Sequence, residues 1–160
     1  MAKLALQTIE EESRRDEGNE FLSFSLAGES YAVPLASVLE IVVPPPLTEV
    51  PRAPKAILGV ASVRGRLLTV VDLRVVLGVE GESPPNKGRL LLGRGPEDEL
   101  MAARVDEVDQ VLRLPDDQVE QVALGLGADS TEVVRGIGRP GHSSSIVLLD
   151  LGAALSRGTR

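Results

Sequence analysis

The sequence predicts an all-β protein built from two similar halves, and three observations lead to this expectation. The 160 residues include 16 glycines and 11 prolines, which favour many turns and few long helices. Aromatic residues are only 2% of the chain, so aliphatic side chains must fill the core. Short apolar runs recur between the turns, as they do in small antiparallel barrels.

The N-terminal part predicts a tail followed by a hairpin. Residues 1–19 are charged and poor in core residues, so we expect a flexible tail. In "FLSFSLAGESYAVPL" (21–35), two alternating runs flank a Gly-containing turn, which predicts a β-hairpin. In "ASVLEIVV", apolar residues at helical spacing predict one or two helical turns that end before Pro44-Pro45-Pro46.

The middle of the chain predicts a second hairpin and a short helix. "GVASV" and "RLLTVVDL" read as two strands joined by a turn at Arg64-Gly65. "LRVVLG" predicts a single helical turn that ends at Gly78, since glycine suits the left-handed position after a helix. The Gly- and Pro-rich segment 80–88 is typical of a linker.

The remainder repeats these features. "RLLLG" and "LMAARV" predict another hairpin, "DEVDQVLRL" a short amphipathic segment, and "IVLLDL" the last strand. Segment 37–43 shares its apolar pattern with 107–113, and segment 68–78 shares its pattern with 146–156. An internal repeat at offsets of 70 and 78 residues indicates two β units of about 65 residues, each marginal alone and stabilised by packing on the other.

Composition excludes several classes of function. The net charge is −7, and no basic stripe with aromatic residues is present, so we do not expect nucleic acid as a partner. The absence of cysteine excludes disulfides and thiolate metal sites. No apolar run approaches the ~18 residues of a membrane helix, and no signal peptide is apparent, so we expect a cytoplasmic protein without direct membrane insertion.

The candidate catalytic residues have simpler structural explanations. Asp72 and Asp150 occupy equivalent repeat positions at strand ends, where a carboxylate can cap the next helical turn. His142, the single histidine, lies beside serines but without the elbow motif of serine hydrolases. The glycine-rich "GLGADS" and "GIGRPG" lack the context of a phosphate-binding loop. These residues therefore favour structural roles, and we expect no metal and no cofactor.

Several stretches together resemble the CheW-like family, the coupling adaptors of bacterial chemosensory arrays. They are "FLSFSLAGESYAVPLASVLEIV", "PPLTEVPRAPKAILGVASVRGRLLTVVDL", "RVDEVDQVLRLP" and "GIG…IVLLDL". The resemblance covers residues 20–156, followed by a short tail at 157–160. It implies two packed, five-stranded SH3-like barrels, the first at roughly 28–80 and the second at roughly 88–150, with strands exchanged at the ends.

The resemblance also implies a function without catalysis. Such adaptors join the cytoplasmic tip of methyl-accepting chemoreceptors to the regulatory domain of a CheA-type histidine kinase, in arrays beneath the inner membrane. Because that kinase domain has the same fold, adaptor and kinase can join pseudo-symmetrically. The alternatives from the residues alone are a β-barrel that binds a small ligand and a small hydrolase that uses Asp72, Asp150 or His142.

The family motifs imply where a receptor would bind. Val38, Glu40 and Ile41 match a Val-x-Glu-Ile turn beside the receptor groove, and Gly59, Val60, Arg64 and Gly65 match a G-V-x-N-L-R-G stretch. Ser62 and Val63 replace the Asn and Leu that are usual there. The predicted receptor groove is therefore Val38, Glu40, Ile41, Gly59, Val60, Ser62, Arg64 and Gly65. The kinase-binding residues are left unassigned.

Overall fold

A computed structural model describes residues 19–81, 87–121 and 132–160. Most of the predicted tail at 1–19, much of the linker at 80–88 and the glycine-rich "GLGADS" lie outside these residues. The strands are β1 (Glu20–Leu26), β2 (Glu29–Pro34), β3 (Glu40–Val42), β4 (Leu47–Thr48), β5 (Ile57–Val63), β6 (Arg66–Asp72), β7 (Arg89–Arg94), β8 (Leu100–Val105), β9 (Glu107–Arg113), β10 (Val119–Gln121), β11 (Val134–Gly138) and β12 (Ile146–Leu149). The α-helices are α1 (Leu73–Leu77) and α2 (Leu151–Gly158). Short 3-10 turns occur at Leu35–Ser37, Pro96–Asp98, Asp116–Gln118 and Pro140–His142.

The strands form two six-stranded sheets that repeat one topology. Sheet I has the order β3-β7-β8-β6-β5-β4, and sheet II has the order β9-β1-β2-β12-β11-β10. Each strand of sheet I thus has a counterpart in sheet II that lies six strands away in the chain. The parallel pairing of β6 with β8 matches that of β12 with β2. The repeat predicted from the sequence is present in the structure. Each sheet has six strands because it includes one short edge strand, β4 in sheet I and β10 in sheet II.

Each half of the chain gives its first hairpin to the sheet of the other half. Hairpin β1–β2 lies in sheet II with the C-terminal strands, and hairpin β7–β8 lies in sheet I with β3 to β6. Each sheet therefore contains strands from both of the predicted segments, 28–80 and 88–150. The parallel pairs β6–β8 and β12–β2 join segments that are distant in sequence.

Two segments form strands where the sequence indicates helical or amphipathic character. Only Leu35–Ser37 turns as a 3-10 helix, and Glu40–Val42 then pairs with Leu90–Leu92 of β7. The equivalent segment in the second half of the repeat forms β9, which pairs with β1. The spacing of the apolar residues in these two segments is compatible with a helix. However, strands β7 and β1 supply backbone hydrogen-bond partners, and the β-branched residues of the segments favour a strand. At the C-terminus, α2 continues to Gly158, so the proposed tail at 157–160 begins inside a helix.

Buried side chains form one core between the sheets and one within each sheet. The central core combines strands of both sheets with both helices, and Phe24, Leu91, Leu149 and Leu155 are fully buried in it. The smaller core of sheet I consists of Ala61, Leu68, Val70, Leu90, Leu92 and Ala102. That of sheet II consists of Phe21, Ala32, Leu114, Ile146 and Leu148. Side chains thus occupy the positions where a ligand-binding barrel would keep a cavity.

The helix ends follow the sequence prediction. The carboxylate of Asp72 accepts a hydrogen bond from the N–H of Arg74 at 3.0 Å, and that of Asp150 accepts one from Ala153 at 3.0 Å. Gly78 ends α1 in the left-handed conformation with φ 68°. Among the described residues, no helix has the length and apolar character needed to cross a bilayer.

Tyr31, the single tyrosine, is expected to ionise late. It stacks on Phe24 with ring centres 6.2 Å apart, and its hydroxyl donates to Glu29 at 3.0 Å. Burial, with a smaller contribution from this hydrogen bond, raises the pKa of Tyr31 from 10.0 to about 12. Because the unfolded chain ionises first, stability should be unaffected below pH 10 and fall by on the order of 2 kcal/mol towards pH 12.

Tyrosinate absorbance measured during a pH titration reports this single residue directly. The folded protein should show a midpoint near pH 12, and Tyr31→Phe should remove this part of the alkaline loss of stability. A midpoint near 10 in the folded state would show that the hydroxyl is solvated.

Candidate functional site

Strand β3 presents an apolar stripe at the edge of sheet I. Leu39, Ile41 and Val43 alternate along one face and are 53%, 42% and 68% exposed. The N–H of Leu39 donates to the carbonyl of Leu92 at 2.8 Å, which anchors the start of the strand on β7. Large apolar side chains exposed side by side are typical of a contact surface. We call these three residues the β3 stripe.

Val38 has a different position from the β3 stripe. It is partly buried and packs against the central core, and its N–H donates to the carbonyl of Leu35 at 3.1 Å. The family motif specifies two apolar residues, Val38 and Ile41. Only Ile41 is exposed enough to contact a partner extensively. The sequence interpretation missed Leu39 and Val43, because their period-2 relation to Ile41 is apparent only when the segment is treated as a strand.

Glu40 and Arg64 are brought together across sheet I. Arg64 Nη2 lies 2.5 Å from Glu40 Oε1, and the two side chains are 78% and 27% exposed. Arg64 belongs to the turn between β5 and β6, where Arg64 and Gly65 have φ of 52° and 79°. Two consecutive positive φ values are typical of a tight hairpin turn. Because successive side chains of a strand point to opposite faces, Glu40 lies on the face of β3 opposite to the β3 stripe, and it holds the exposed Arg64 there.

Val60 and Ser62 lie on the outward face of β5. Ser62 is exposed and faces Leu67 of β6, while Val60 is half-buried and faces Thr69. Leu67 is 76% exposed, which makes it the most exposed large apolar side chain among the described residues. The sequence motif included Ser62 but not this cross-strand neighbour, because the pairing register becomes known only with the hairpin.

Gly59 is buried and serves the packing of strands. It has φ 150° at a bulge in β5, and a Cβ there would collide with the carbonyl oxygen of Thr48 on β4. Its repeat counterpart Gly136 stands in the same relation to Glu120 on β10. Gly59 therefore shapes the strand beneath the predicted groove and is not itself a surface of that groove.

Gly59→Ala is expected to lower the free energy of unfolding by about 2–3 kcal/mol, because the new Cβ displaces β4. Gly28→Ala is a matched control: its φ is 82°, but nothing lies within 4 Å of its Cβ position. The control should lose only about 1 kcal/mol, from backbone strain alone. Equal losses in urea unfolding would contradict the collision with Thr48.

The candidate catalytic residues do not form an active site. Both carboxylates cap helices, at Asp72 and Asp150, as described above. Burial raises the pKa of Asp72, opposed by the backbone bond from Arg74 and by the charges of Arg104 and Arg74. His142 is exposed in a 3-10 turn. Over the described ranges, no three acidic or histidine side chains are grouped to hold a metal.

Comparisons with known proteins agree with these observations. A family model described as the CheW-like domain matches residues 20–158. The chain is 30% identical over 120 residues to the chemotaxis protein CheW of Helicobacter pylori, covering 75% of this chain and 72% of that protein. It is 30% identical over 157 residues to the chemotaxis protein CheW of Klebsiella aerogenes, covering 98% and 88%.

The fold is similar to a solved structure as well. The crystal structure of the scaffolding protein TtCheW from Thermoanaerobacter tengcongensis superimposes with a TM-score of 0.75 at 23% identity, over 86% of this chain and 92% of that one. This likeness confirms the expected architecture of two packed SH3-like barrels.

Proposed function

Because this chain belongs to the CheW-like domain family, it is a non-enzymatic adaptor of chemotaxis signalling, and we propose that it binds receptor tips through the β3 stripe and the Glu40–Arg64 pair. Its two partners would be the cytoplasmic tip of a methyl-accepting chemoreceptor and the regulatory domain of a CheA-type histidine kinase. The adaptor would act in the cytoplasm, at receptor arrays beneath the inner membrane.

One observation carries this proposal: edge strand β3 exposes three apolar side chains on one face, and Glu40 on its other face holds the exposed Arg64 in an ion pair. The stripe offers Leu39, Ile41 and Val43, and Arg64 remains 78% exposed although it is paired with Glu40. Apolar anchors supply most of the affinity at such contacts, while charges at the rim select the partner. Of these residues, Ile41, Glu40 and Arg64 are among the positions that the family resemblance assigns to receptor binding.

The geometry suits a helical partner. A receptor tip is a helical hairpin, and helices dock by placing apolar residues at i, i+3 and i+4 against an apolar surface. Successive residues on one face of a strand are about 7 Å apart, so the stripe spans more than two helical turns. Glu40 and Arg64, on the other face of β3, would then contact polar residues of the receptor.

A titration of the purified chain with a purified receptor cytoplasmic fragment tests the receptor contact. The methyl NMR signals of Leu39, Ile41 and Val43 should shift on binding, while those of the buried Leu149 should stay unchanged. Binding that leaves all three stripe methyls unaffected would place the receptor elsewhere. No binding by the folded chain would reject the receptor contact altogether.

A further inference from the structure

A second surface lies where the two α-helices pack together. A cavity of about 460 Å³ is lined there by Lys55, Ala56, Val75, Val76, Arg157 and Arg160. A neighbouring cavity of about 310 Å³ shares Val75, Val76 and Arg157 and continues to Val133 and Val134. Because they share these three residues, the two cavities are adjacent, and we call the two together the helix trough.

The larger cavity of the helix trough has three cationic side chains in its lining, in a protein of net charge −7. They are Lys55, Arg157 and Arg160. Within the part of the chain that the structure describes, Lys55 makes no ion pair and is exposed. Arg160 lies 3.2 Å from Glu132, in a pair whose side chains are 63% and 49% exposed. A pair so exposed contributes little and can exchange for another carboxylate.

The helix trough also has apolar side chains in its lining. Val75, Val76 and Leu77 of α1 are partly buried against the central core, and Val134 adjoins them at the start of β11. Ala56 is buried at the base beside Lys55. An occupant would therefore meet apolar side chains and cations within the helix trough.

We propose that the helix trough docks an acidic peptide segment of a partner protein, with a carboxylate at Lys55 and Arg160 and a neighbouring apolar side chain on Val75 and Val76. Arginine binds carboxylates in a fork, and the valine methyl groups supply the apolar contact. A small molecule is disfavoured, because such ligands require a site that buries most of their surface. Lys55 and Arg160 at the rim are exposed, as in an open trough that a chain segment can cross.

The helix trough shares no residue with the β3 stripe or the Glu40–Arg64 pair. It therefore offers a docking site in addition to the proposed receptor contact. Its test uses a binary mixture without receptor or kinase, so the outcome is independent of the proposed adaptor function.

The test is a titration of the full chain, labelled at valine methyl groups, with a blocked peptide of alternating Glu and Leu. The same peptide with Gln in place of Glu is the uncharged comparison. We expect shifts of the Val75 and Val76 signals with the Glu peptide, and an affinity roughly tenfold lower for the Gln peptide. Lys55→Glu and Arg160→Glu should each weaken Glu-peptide binding by roughly tenfold or more. Arg113→Glu, an exposed arginine on β9, should leave it unchanged.

Three results would overturn the proposal. Equal affinity for the Glu and Gln peptides would remove the role of charge. Shifts spread over valines outside the helix trough would indicate non-specific adhesion. Inorganic phosphate that reproduces the Val75 and Val76 shifts at equal concentration would reduce the site to a simple anion site. Because Lys55 lies in an exposed turn and Arg160 follows the end of α2, both variants are expected to keep the fold.

Discussion

Asp106→Asn is expected to destabilise the protein by about 3–5 kcal/mol, the largest effect we predict for a single charge. Asp106 lies between β8 of sheet I and β9 of sheet II and accepts hydrogen bonds from both sides. The N–H of Ala27, in the β1–β2 turn, donates to it at 2.7 Å. Arg74 Nε, at the start of α1, donates to its two oxygens at 3.0 and 3.1 Å, and Arg74 Nη2 also contacts it.

Burial of the arginines makes this interaction costly to lose. Arg74 and Arg104 are 8% and 1% exposed, and Arg104 Nη1 lies 4.0 Å from Asp106. Arg104 Nε also donates to the carbonyl of Lys87 at 3.1 Å. The hydrogen bond that Arg74 donates to Asp106 is the main cause of the raised pKa of Arg74. Without the Asp106 carboxylate, both buried cations would lose this anion, and Asp72 would be the nearby carboxylate that still acts on them.

Urea unfolding of Asp106→Asn against wild type measures this loss. The matched control is Asp98→Asn, because Asp98 is 86% exposed on its side chain and lies 3.9 Å from Arg94. The control should change stability by less than about 0.5 kcal/mol. A loss below about 1 kcal/mol for Asp106→Asn would show that the network contributes little to joining the two sheets.

Ile41→Arg is expected to weaken binding of a receptor fragment by roughly 30-fold or more while the protein stays folded. Ile41 is 42% exposed on the β3 stripe, so the longer side chain can be solvated in the free protein. In the complex, an unpaired guanidinium would lie against an apolar helix face and lose its hydration. Val38→Arg would be harder to interpret, since Val38 packs on the central core.

Val50→Arg is the matched control for Ile41→Arg. Val50 is 43% exposed, almost the same as Ile41, but lies in the loop between β4 and β5, outside the predicted groove. Isothermal titration with the receptor fragment should show wild-type affinity for Val50→Arg and reduced affinity for Ile41→Arg. Equal loss in both variants would indicate a general effect of added charge, and unchanged affinity for Ile41→Arg would remove the β3 stripe from the receptor contact.

Features governed by local chemistry could be predicted from the sequence. A carboxylate before a helical turn and a glycine after it determine the ends of α1. The sequence therefore predicts both that Asp72 caps the start of this helix and that Gly78 ends it. The Arg64-Gly65 turn was likewise apparent from the two flanking strand patterns. The repeat was readable because each half conserves the order of its apolar segments.

Features that depend on distant partners could not be predicted. Segment 37–43 has apolar spacings compatible with a helix or a strand, and only pairing with β7 decides between them. Leu39 and Val43 were missed for the same reason. The Arg74–Asp106 contact joins residues 32 positions apart, and nothing in the local pattern marks either arginine of this network as buried. The exchange of hairpins follows from sheet pairing and not from any single motif.

Coupling itself provides the most direct test of the account. The measurement is autophosphorylation of a CheA-type kinase mixed with receptor fragments, with and without this chain. We predict that kinase activity changes with the receptor only when the chain is present, and that Ile41→Arg abolishes this dependence while Val50→Arg preserves it. Receptor control of the kinase that is the same with and without the folded chain would contradict the adaptor function.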